Sequence, residues 1–536
     1  MKKKLQALVL SFCLVVLSVF AACSTGKKQE ALNIIDDNYR NYYEIFVGSF
    51  YDSDGDGMGD LQGVIEKLDY INDGDDETDS DLGFNGIWLM PIMPSNTYHK
   101  YDVKDYYEID EDYGTMEDMD QLIEACHDRG IKLIIDLVFN HTSAEHPWFT
   151  EACDYLEKLP EGEEPDASTC KYVDYYNFAR DKSGVDTWHQ VGNSGFYYEC
   201  MFWDQMPDLN LDNENVRKEI EDIASFWLKK GVDGFRLDAS KEYFSGQVQK
   251  NVEVLSWFSD YVKSIDKDAY LVGEVWEKSD TIAQYYASGI TSLFDFPLSQ
   301  SDGRIGKTVR GESDDKSFTE AVETIESKYR AQNPDYIDAP FISNHDTTRV
   351  GAQYAYNEDQ MKYAAGLLLT RGGSPFVYYG EEIGMASKGN KDENKRLAMY
   401  WSRDDEQAGM TKDPVGADVV EQKFEPVDEQ MEDENSIYNY YKKALRIRNT
   451  YPEIARGTVE PVTSITEKNL SAVMKTWEDD TIGIIYNSSK EAAQVSLKDV
   501  GMENRQVCNA LTVDGSEVDA ANGEIKMPPY SIVFLK

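Results

Sequence analysis

The stretch Gly231-Val-Asp-Gly-Phe-Arg-Leu-Asp-Ala-Ser-Lys241 is a short apolar run that delivers two opposite charges. Because side chains alternate along a strand, Arg236 and Asp238 are expected to point to the same side of it. A carboxylate beside a permanently charged guanidinium stays ionised at neutral pH, which suits a nucleophile. An ordinary buried ion pair at a strand end gives the same pattern, so other stretches must decide between the two interpretations.

Three further stretches run from an apolar strand into polar residues at its end. They are Ile131-Lys-Leu-Ile-Ile-Asp-Leu-Val-Phe-Asn-His141, Tyr270-Leu-Val-Gly-Glu-Val-Trp276 and Ala339-Pro-Phe-Ile-Ser-Asn-His-Asp346. Together with the first stretch they resemble the four signature regions of the α-amylase family of glycoside hydrolases (family 13), in the same order and at comparable intervals. One such motif would carry little weight, whereas four in one chain make a strong resemblance.

The resemblance implies an α/β fold: a (β/α)8 TIM barrel with an inserted domain B after strand 3 and a C-terminal antiparallel β-sandwich domain. The pattern agrees, because strand and helix signals alternate up to an eighth strand at Ser374–Tyr379, as they do in parallel βα units. The polar stretch 142–205 has weak periodicity and is too long for a structureless loop, so we expect a small domain there.

We therefore divide the 536 residues into six segments. They are a signal peptide at 1–22, a lipidated tether at 23–39, the first part of the barrel at 40–141, domain B at 142–205, the rest of the barrel at 206–455 and the C-terminal β-sandwich at 456–536.

The motifs place five polar residues at the C-terminal ends of barrel strands, where enzymes of this architecture build their active sites: Asp136, Arg236, Asp238, Glu274 and Asp346. Hydrolysis of a glycosidic bond needs one ionised and one protonated carboxyl. Asp238 beside Arg236 is the expected nucleophile, and Glu274, which follows apolar residues, is the expected general acid and base. A retaining mechanism would place these two carboxyls about 5–5.5 Å apart.

The resemblance also implies which residues bind the sugar. Asp346 matches the family's third carboxylate, which fixes sugar hydroxyls, and Asp136 is expected to support the site. The substrate contacts are expected from Tyr101, Asp102, His141, Arg236, Lys241 and His345. A lone histidine is usually structural, but both histidines here occupy motif positions.

A candidate metal loop follows the first predicted strand, in Asp52-Ser-Asp-Gly-Asp-Gly-Met-Gly-Asp60. Oxygen donors at alternate positions, with glycines between them, are what a hard cation needs from a tight loop. The stretch resembles the calcium loop of oligo-1,6-glucosidase-like members of the family. That resemblance implies Ca²⁺ held by the side chains of Asp52, Asp54, Asp56 and Asp60 and the carbonyl of Met58, although a flexible acidic turn would have the same composition.

Residue choices near the site place the chain between two subgroups of the family. Ala239 follows the expected nucleophile, as in α-1,4-acting members, whereas the calcium loop is of the oligo-1,6-glucosidase type. Glu242 stands where many members have histidine. This departure bears on acceptor binding and on a second calcium site, to which Asn140 would contribute.

Composition excludes some partners and suggests a location. With 53 basic and 99 acidic residues, the net charge of −46 argues against nucleic acid, which needs a basic surface.

Lys2–Lys4 followed by the apolar run Leu5–Phe20 predicts a signal peptide. Phe20-Ala-Ala-Cys23 resembles a bacterial lipobox, which implies a lipid anchor on Cys23 and a place in the cell envelope, facing the exterior. Cys153 and Cys170 are candidates for a disulfide in an exported protein.

These observations favour an α-glucan hydrolase that cleaves α-1,4 bonds of starch or maltooligosaccharides with retention. Within the family, an α-glucosidase or a glucanotransferase is the alternative. Outside enzymes, a non-catalytic glycan-binding lipoprotein is the alternative, and the complete set of Asp238, Glu274 and Asp346 argues against it.

Overall fold

The computed structural model describes residues 31–312, 317–404, 407–465 and 467–536. The predicted signal peptide at 1–22 and the predicted lipidation site at Cys23 lie outside these residues. Among the described residues, no helix is both long and apolar enough to cross a bilayer.

Parallel strands form a closed barrel. Seven of them belong to one sheet: Tyr42–Ile45, Gly86–Leu89, Lys132–Leu137, Gly234–Leu237, Tyr270–Gly273, Ser292–Leu293 and Phe376–Tyr378. The seventh barrel strand, residues 339–341, joins the two sides of this sheet through parallel bridges from Ala339 to Phe294 and from Phe341 to Phe376. The predicted TIM barrel is therefore confirmed, and its eighth strand is shorter than the predicted Ser374–Tyr379.

Aromatic rings fill the barrel interior. Tyr42 stacks on Tyr270 at 4.9 Å between ring centroids and on Phe376 at 4.7 Å. These rings share a buried cluster with Trp88 and Ile134, whereas the alternate residues of the same strands pack outward against the helices. This alternation explains why each strand is buried on both faces and reads as a continuous apolar run.

Helices surround the barrel and connect it to the C-terminal domain. Those outside domain B are Leu61–Glu66, Leu68–Ile71, Met116–Asp128, Glu214–Lys230, Val248–Ile265, Ser279–Tyr286, Arg304–Val309, Phe318–Gln332, Val350–Gln353, Glu358–Leu369, Val427–Glu432, Ile437–Thr450 and Pro452–Arg456. The helix that begins at Met116 has a capping box, in which Thr115 and Asp118 exchange side-chain and backbone hydrogen bonds.

The segment 142–205 has secondary structure of its own. It contains the helix Pro147–Lys158 and an antiparallel sheet of three short strands, Phe178–Ala179, Trp188–Gln190 and Tyr197–Glu199.

Cys153 and Cys170 are free thiols in this structure, so the suggested disulfide between them is not formed. Burial raises the pKa of the Cys153 thiol to about 12, which keeps it protonated at neutral pH.

The C-terminal region contains two antiparallel sheets, as predicted for a β-sandwich. The larger contains Thr458–Pro461, Leu470–Trp477, Asp480–Asn487, Ser531–Leu535 and Val507–Thr512, and the smaller contains Ala493–Ser496, Glu524–Met527 and Asp519–Ala521. One apolar cluster joins their inner faces. The buried amino group of Lys475 connects this domain to the segments that surround the barrel, because it donates to the carbonyls of Thr370 and Ile454.

Candidate active site

Polar residues towards the carboxyl ends of the strands form the top layer of the barrel interior. Glu44 lies two residues after Tyr42, and Asp136 lies two residues after Ile134. Since the side chains of Tyr42 and Ile134 point into the barrel, those of Glu44 and Asp136 do so as well. Asp136 is directly opposite Arg236 in the parallel pairing of the third and fourth strands. Strand register therefore gathers these charged groups at the carboxyl end of the barrel.

Arg236 is the centre of this layer and contacts three carboxylates. Its Nη1 lies 2.7 Å from Asp238 Oδ1 and 3.0 Å from Asp136 Oδ2, and its Nη2 lies 3.0 Å from Glu274 Oε2. The guanidinium is almost fully buried. Burial opposes its charge, but the surrounding carboxylates outweigh that effect and raise the pKa of Arg236 well above its usual value. A fixed cation thus lies between the two predicted catalytic carboxyls.

Glu274 is held by one oxygen only. Its Oε2 accepts the bond from Arg236 and a second bond, 3.0 Å long, from the N–H of Ala239. None of the described residues donates to Oε1, which is available to a substrate. Burial and the nearby carboxylates of Asp238 and Asp346 raise the pKa of Glu274 above its ordinary value, although Arg236 opposes them. This environment favours a carboxyl that keeps its proton, as a general acid must.

Ala239, whose N–H bonds Glu274, has an unusual backbone conformation. Its φ of 47° lies in the left-handed region, which non-glycine residues rarely adopt. The fourth strand ends at Leu237, and the turn that follows it redirects the chain at Ala239, whose N–H bonds Glu274 at the end of the fifth strand. Backbone strain at such a position is frequent in functional sites.

Asp346 and His345 form a second charged group beside the first. His345 lies between two carboxylates, with Nδ1 2.6 Å from Glu44 and Nε2 2.9 Å from Asp346. Burial alone would lower the pKa of His345, but these carboxylates raise it to about 9, so the ring is protonated at neutral pH. Burial would raise the pKa of Asp346, yet His345 and Arg396 outweigh it and hold the pKa well below its usual range.

These groups line one open cavity of about 650 Å³, a size suited to a small ligand. Asp238, Glu274 and Asp346 all line it, and so do Tyr101, His141 and Lys241. The structure thus brings these predicted residues together, with the charged side of Arg236 beneath them.

Three of the predicted sugar contacts, Asp102, Arg236 and His345, do not line the cavity, whereas Tyr101, His141 and Lys241 do. Asp102 is buried in its own loop, where it accepts hydrogen bonds from the hydroxyls of Ser95 and Thr97 and from the N–H of Asn96, and it does not line the cavity. It therefore fixes the loop that carries Tyr101, and its contact with the sugar stays a prediction.

His141 lines the cavity, but both of its ring nitrogens have protein partners. Nε2 lies 3.2 Å from the carbonyl oxygen of Tyr101, which can only accept, so Nε2 carries a proton. Nδ1 lies 3.3 Å from the amide nitrogen of Asn140, which can only donate. Burial also lowers the pKa of His141. The ring is thus neutral and serves as a wall of the cavity.

The predicted calcium loop brings together three of its four aspartates. Carboxylate oxygens of Asp52, Asp54 and Asp60 lie within 4.8 Å of one another, and Asp56 is outside this group. Backbone N–H groups of Gly55 and Gly57 bind Asp52, which closes the turn. Three convergent hard oxygen donors fit Ca²⁺.

Sequence reasoning missed several residues of the site. Glu44 and Arg396 hold His345 and Asp346, and the Nη2 of Arg396 lies 2.8 Å from Asp346. Phe202 and Trp276 also line the cavity, and so does Glu242, which the sequence singled out only as a departure from the family's histidine. Signals existed for Glu44, which is a single acidic residue inside the buried strand Tyr42–Ile45, and for Trp276, which ends the motif that contains Glu274.

Comparisons with known proteins agree with this geometry. The family model "Alpha amylase, catalytic domain" matches residues 44–457. The chain is 38% identical over 503 residues to Alpha-amylase 3 of Dictyoglomus thermophilum, with 93% of each chain covered.

Two solved structures resemble the chain over nearly their whole length. Amy13B of Eubacterium rectale superposes with a TM-score of 0.90 at 45% identity, covering 95% of this chain and 97% of that one. The α-amylase of H. orenii superposes with a TM-score of 0.80 at 36% identity, covering 93% of this chain and 99% of that one.

Proposed function

The chain belongs to the α-amylase family of glycoside hydrolases, and we propose that it cleaves α-1,4-glucosidic bonds of starch or maltooligosaccharides with retention. The observation that carries this proposal is the contact of Arg236 with both Asp238 and Glu274, through different nitrogens. One guanidinium thereby holds two carboxyls side by side, as a nucleophile and an acid must be held at a single glycosidic bond.

In the first step, Asp238 attacks the anomeric carbon of the sugar. The bond between that carbon and the glycosidic oxygen breaks, and Glu274 gives its proton to the departing oxygen. The product is a glycosyl ester on Asp238. In the second step, Glu274 takes a proton from water, whose oxygen attacks the same carbon and releases Asp238.

Asp346 contributes negative charge to this reaction. The transition state resembles an oxocarbenium ion, so positive charge develops on the sugar. The fixed negative charge of Asp346 stabilises it, and His345 and Arg396 keep that carboxylate ionised and in place.

We further propose that the loop from Asp52 to Asp60 binds Ca²⁺. Asp52, Asp54 and Asp60 would hold the ion, which would neutralise three converging carboxylates and stiffen the turn. Asp60 also caps the helix Leu61–Glu66 by accepting from the N–H of Gly63, so the ion would stabilise the start of that helix. The proposed ligand set leaves out Asp56, whose carboxylate lies outside the convergent group, and the expected carbonyl contribution of Met58 stays a prediction.

The proposed location is the bacterial cell envelope, with a lipid on Cys23 and the enzyme facing the exterior. It rests on the charged and apolar segments Lys2–Lys4 and Leu5–Phe20 and on the residues Phe20-Ala-Ala-Cys23. Radiolabelled fatty acid should enter the full chain and not a Cys23→Ser variant. Equal labelling of both chains would exclude this anchor.

The central test is chromatography of products from maltoheptaose, with the soluble protein from Ser24 onwards and Asp238→Asn as the control. Shorter maltooligosaccharides from the parent alone would support hydrolysis, and their early size distribution would distinguish endo from exo cleavage. Products longer than the substrate would identify a glucanotransferase instead. A substrate that binds and stays intact would indicate a glycan-binding protein.

A further inference from the structure

Three consecutive apolar side chains are exposed at the edge of the active-site cavity. They are Met201, Phe202 and Trp203, with 40%, 53% and 47% of their surfaces accessible. We call this segment the Met201–Trp203 rim. Contiguous exposed apolar residues on a soluble protein mark an interaction site more often than isolated ones do.

The rim is continuous with the cavity. Phe202 lines the cavity, and its ring lies 5.6 Å from that of His141, whereas Trp203 is outside the lining. A fourth exposed apolar residue, Trp276, lines the same cavity two positions after Glu274 and stacks on Phe296 at 4.8 Å. Aromatic surface therefore extends from beside the reacting groups to the outside of the protein.

The backbone of the rim is held on both sides. The N–H of Met201 donates to Asp208 at 2.9 Å, and the N–H of Met206 donates to the carbonyl of Trp203 at 2.8 Å. The hydroxyl of Tyr198 donates to the carbonyl of Asp204 at 2.7 Å. A ligand would thus meet a surface that is already ordered, which lowers the entropy cost of binding.

We propose that the Met201–Trp203 rim holds a part of an α-glucan chain that extends beyond the cavity, and that Trp203 thereby makes the enzyme prefer long chains to short ones. This inference rests on the proposed function. The cavity of about 650 Å³ is sized for a small ligand, so a longer chain must pass its mouth. A sugar ring presents an apolar C–H face that packs on an aromatic ring, as apolar groups do on indole.

The charge of the protein favours this occupant over two others. A net charge of −46 disfavours an anionic membrane surface and nucleic acid, whereas a glucan is neutral. A protein partner could bind an apolar patch anywhere on the surface. A glucan held in the cavity needs a surface that continues from the cavity wall, and the Phe202 contact with His141 provides that continuity.

The test compares kcat/KM for soluble amylose and for maltotriose in the parent, Trp203→Ala and Trp203→Phe. Trp203→Ala should lower the amylose value by about three- to tenfold, mainly through KM, as truncation of an exposed tryptophan contact does. The maltotriose value should stay unchanged, and Trp203→Phe should recover most of the amylose value. The matched control is Ile265→Ala, which removes a side chain that is 39% exposed at the end of the helix before the fifth strand, on the opposite face of the barrel.

Equal losses on amylose and maltotriose would overturn the proposal, because Trp203 would then act inside the cavity or on folding. No loss on either substrate would overturn it as well. Affinity electrophoresis in amylose gels, with Trp203→Ala added to Asp238→Asn, separates this inference from the proposed function. If the parent cleaves no glucan but the added substitution weakens glucan binding, the role proposed for the rim is supported and the proposed hydrolase activity is refuted.

Discussion

The Nδ1 atom of His345 lies 2.6 Å from Oε1 of Glu44, although 301 positions separate the two residues in the chain. Both are buried beneath the cavity. This pair fixes the protonated imidazole on which Asp346 depends, and it connects the first strand of the barrel to the end of the seventh.

Stability should depend on pH through His345. Its pKa is raised from 6.5 to about 9 in the folded protein, so its contribution is complete below pH 6.5 and disappears as pH rises through 9. The shift corresponds to on the order of 3 kcal/mol. The Tm difference between the parent and His345→Gln should therefore shrink between pH 6.5 and above 9. His189→Gln, outside this cluster, should show no such trend, and a constant difference for His345→Gln would refute the expectation.

Glu274→Gln should lower kcat on maltooligosaccharides by about 10²- to 10⁴-fold, because the general acid is lost. With an aryl maltoside whose leaving group needs little protonation, the loss in the first step should be much smaller. Asp238→Asn should be inactive on both substrates. Stopped-flow release of the aryl group measures the difference, and equal losses for Glu274→Gln on the two substrates would rule out the acid role.

The decline of the parent's activity at alkaline pH should also reflect the loss of the proton from Glu274. Its pKa is raised by burial, so activity should persist to higher pH than an ordinary carboxyl acid would allow and fall as Glu274 loses its proton. A profile of kcat/KM against pH for maltoheptaose measures this decline. A decline at the usual glutamate pKa would contradict the assignment.

Calcium binding should distinguish two neighbouring aspartates. Asp54 belongs to the convergent carboxylates and Asp56 does not, yet both accept a hydrogen bond from the N–H two residues ahead. Asp54→Asn should weaken Ca²⁺ binding by about tenfold or more and reduce the rise in Tm on adding Ca²⁺, whereas Asp56→Asn should change affinity by less than about threefold. Titration calorimetry checks both, and equal effects would mean a different ligand set.

Gly234 should not tolerate a side chain. A Cβ atom there would lie 1.9 Å from the carbonyl oxygen of Tyr270, on the neighbouring strand. Gly234→Ala should cost about 1–3 kcal/mol or more and should displace Arg236 on the same strand and Asp238 directly after it. Gly372→Ala is the control, since its nearest atom is 3.6 Å away. Urea unfolding measures both, and an unchanged midpoint for Gly234→Ala would disprove the clash.

The strand ends could be predicted from sequence because each motif combines an apolar run with the polar residues that follow it. Asp136, Arg236, Asp238 and Glu274 meet because neighbouring strands share a register. Glu44 and Arg396 could not be assigned, since their contacts with His345 and Asp346 depend on barrel closure between distant segments.

Local hydrogen bonding also limited the predictions. Asp102 is next to Tyr101 in sequence, but Ser95 and Thr97 turn its carboxylate into the loop. Phe202 and Trp276 carry no pattern that separates a cavity wall from a core aromatic, because only the fold decides which ring stays exposed.

The pairing of Tyr42 with Phe376 has a consequence for how the enzyme comes into being. Contacts so distant in sequence form late in folding, because a long loop must close before they contribute. The seventh strand, which carries His345 and Asp346 at its end, is held by bridges to strands on both sides of that closure. A nascent chain that ends at Glu274 would contain the nucleophile and the acid but not the closed barrel that holds them in place. Activity should therefore appear only after nearly the entire barrel has been synthesised, and an incomplete polypeptide should not cleave a glucan.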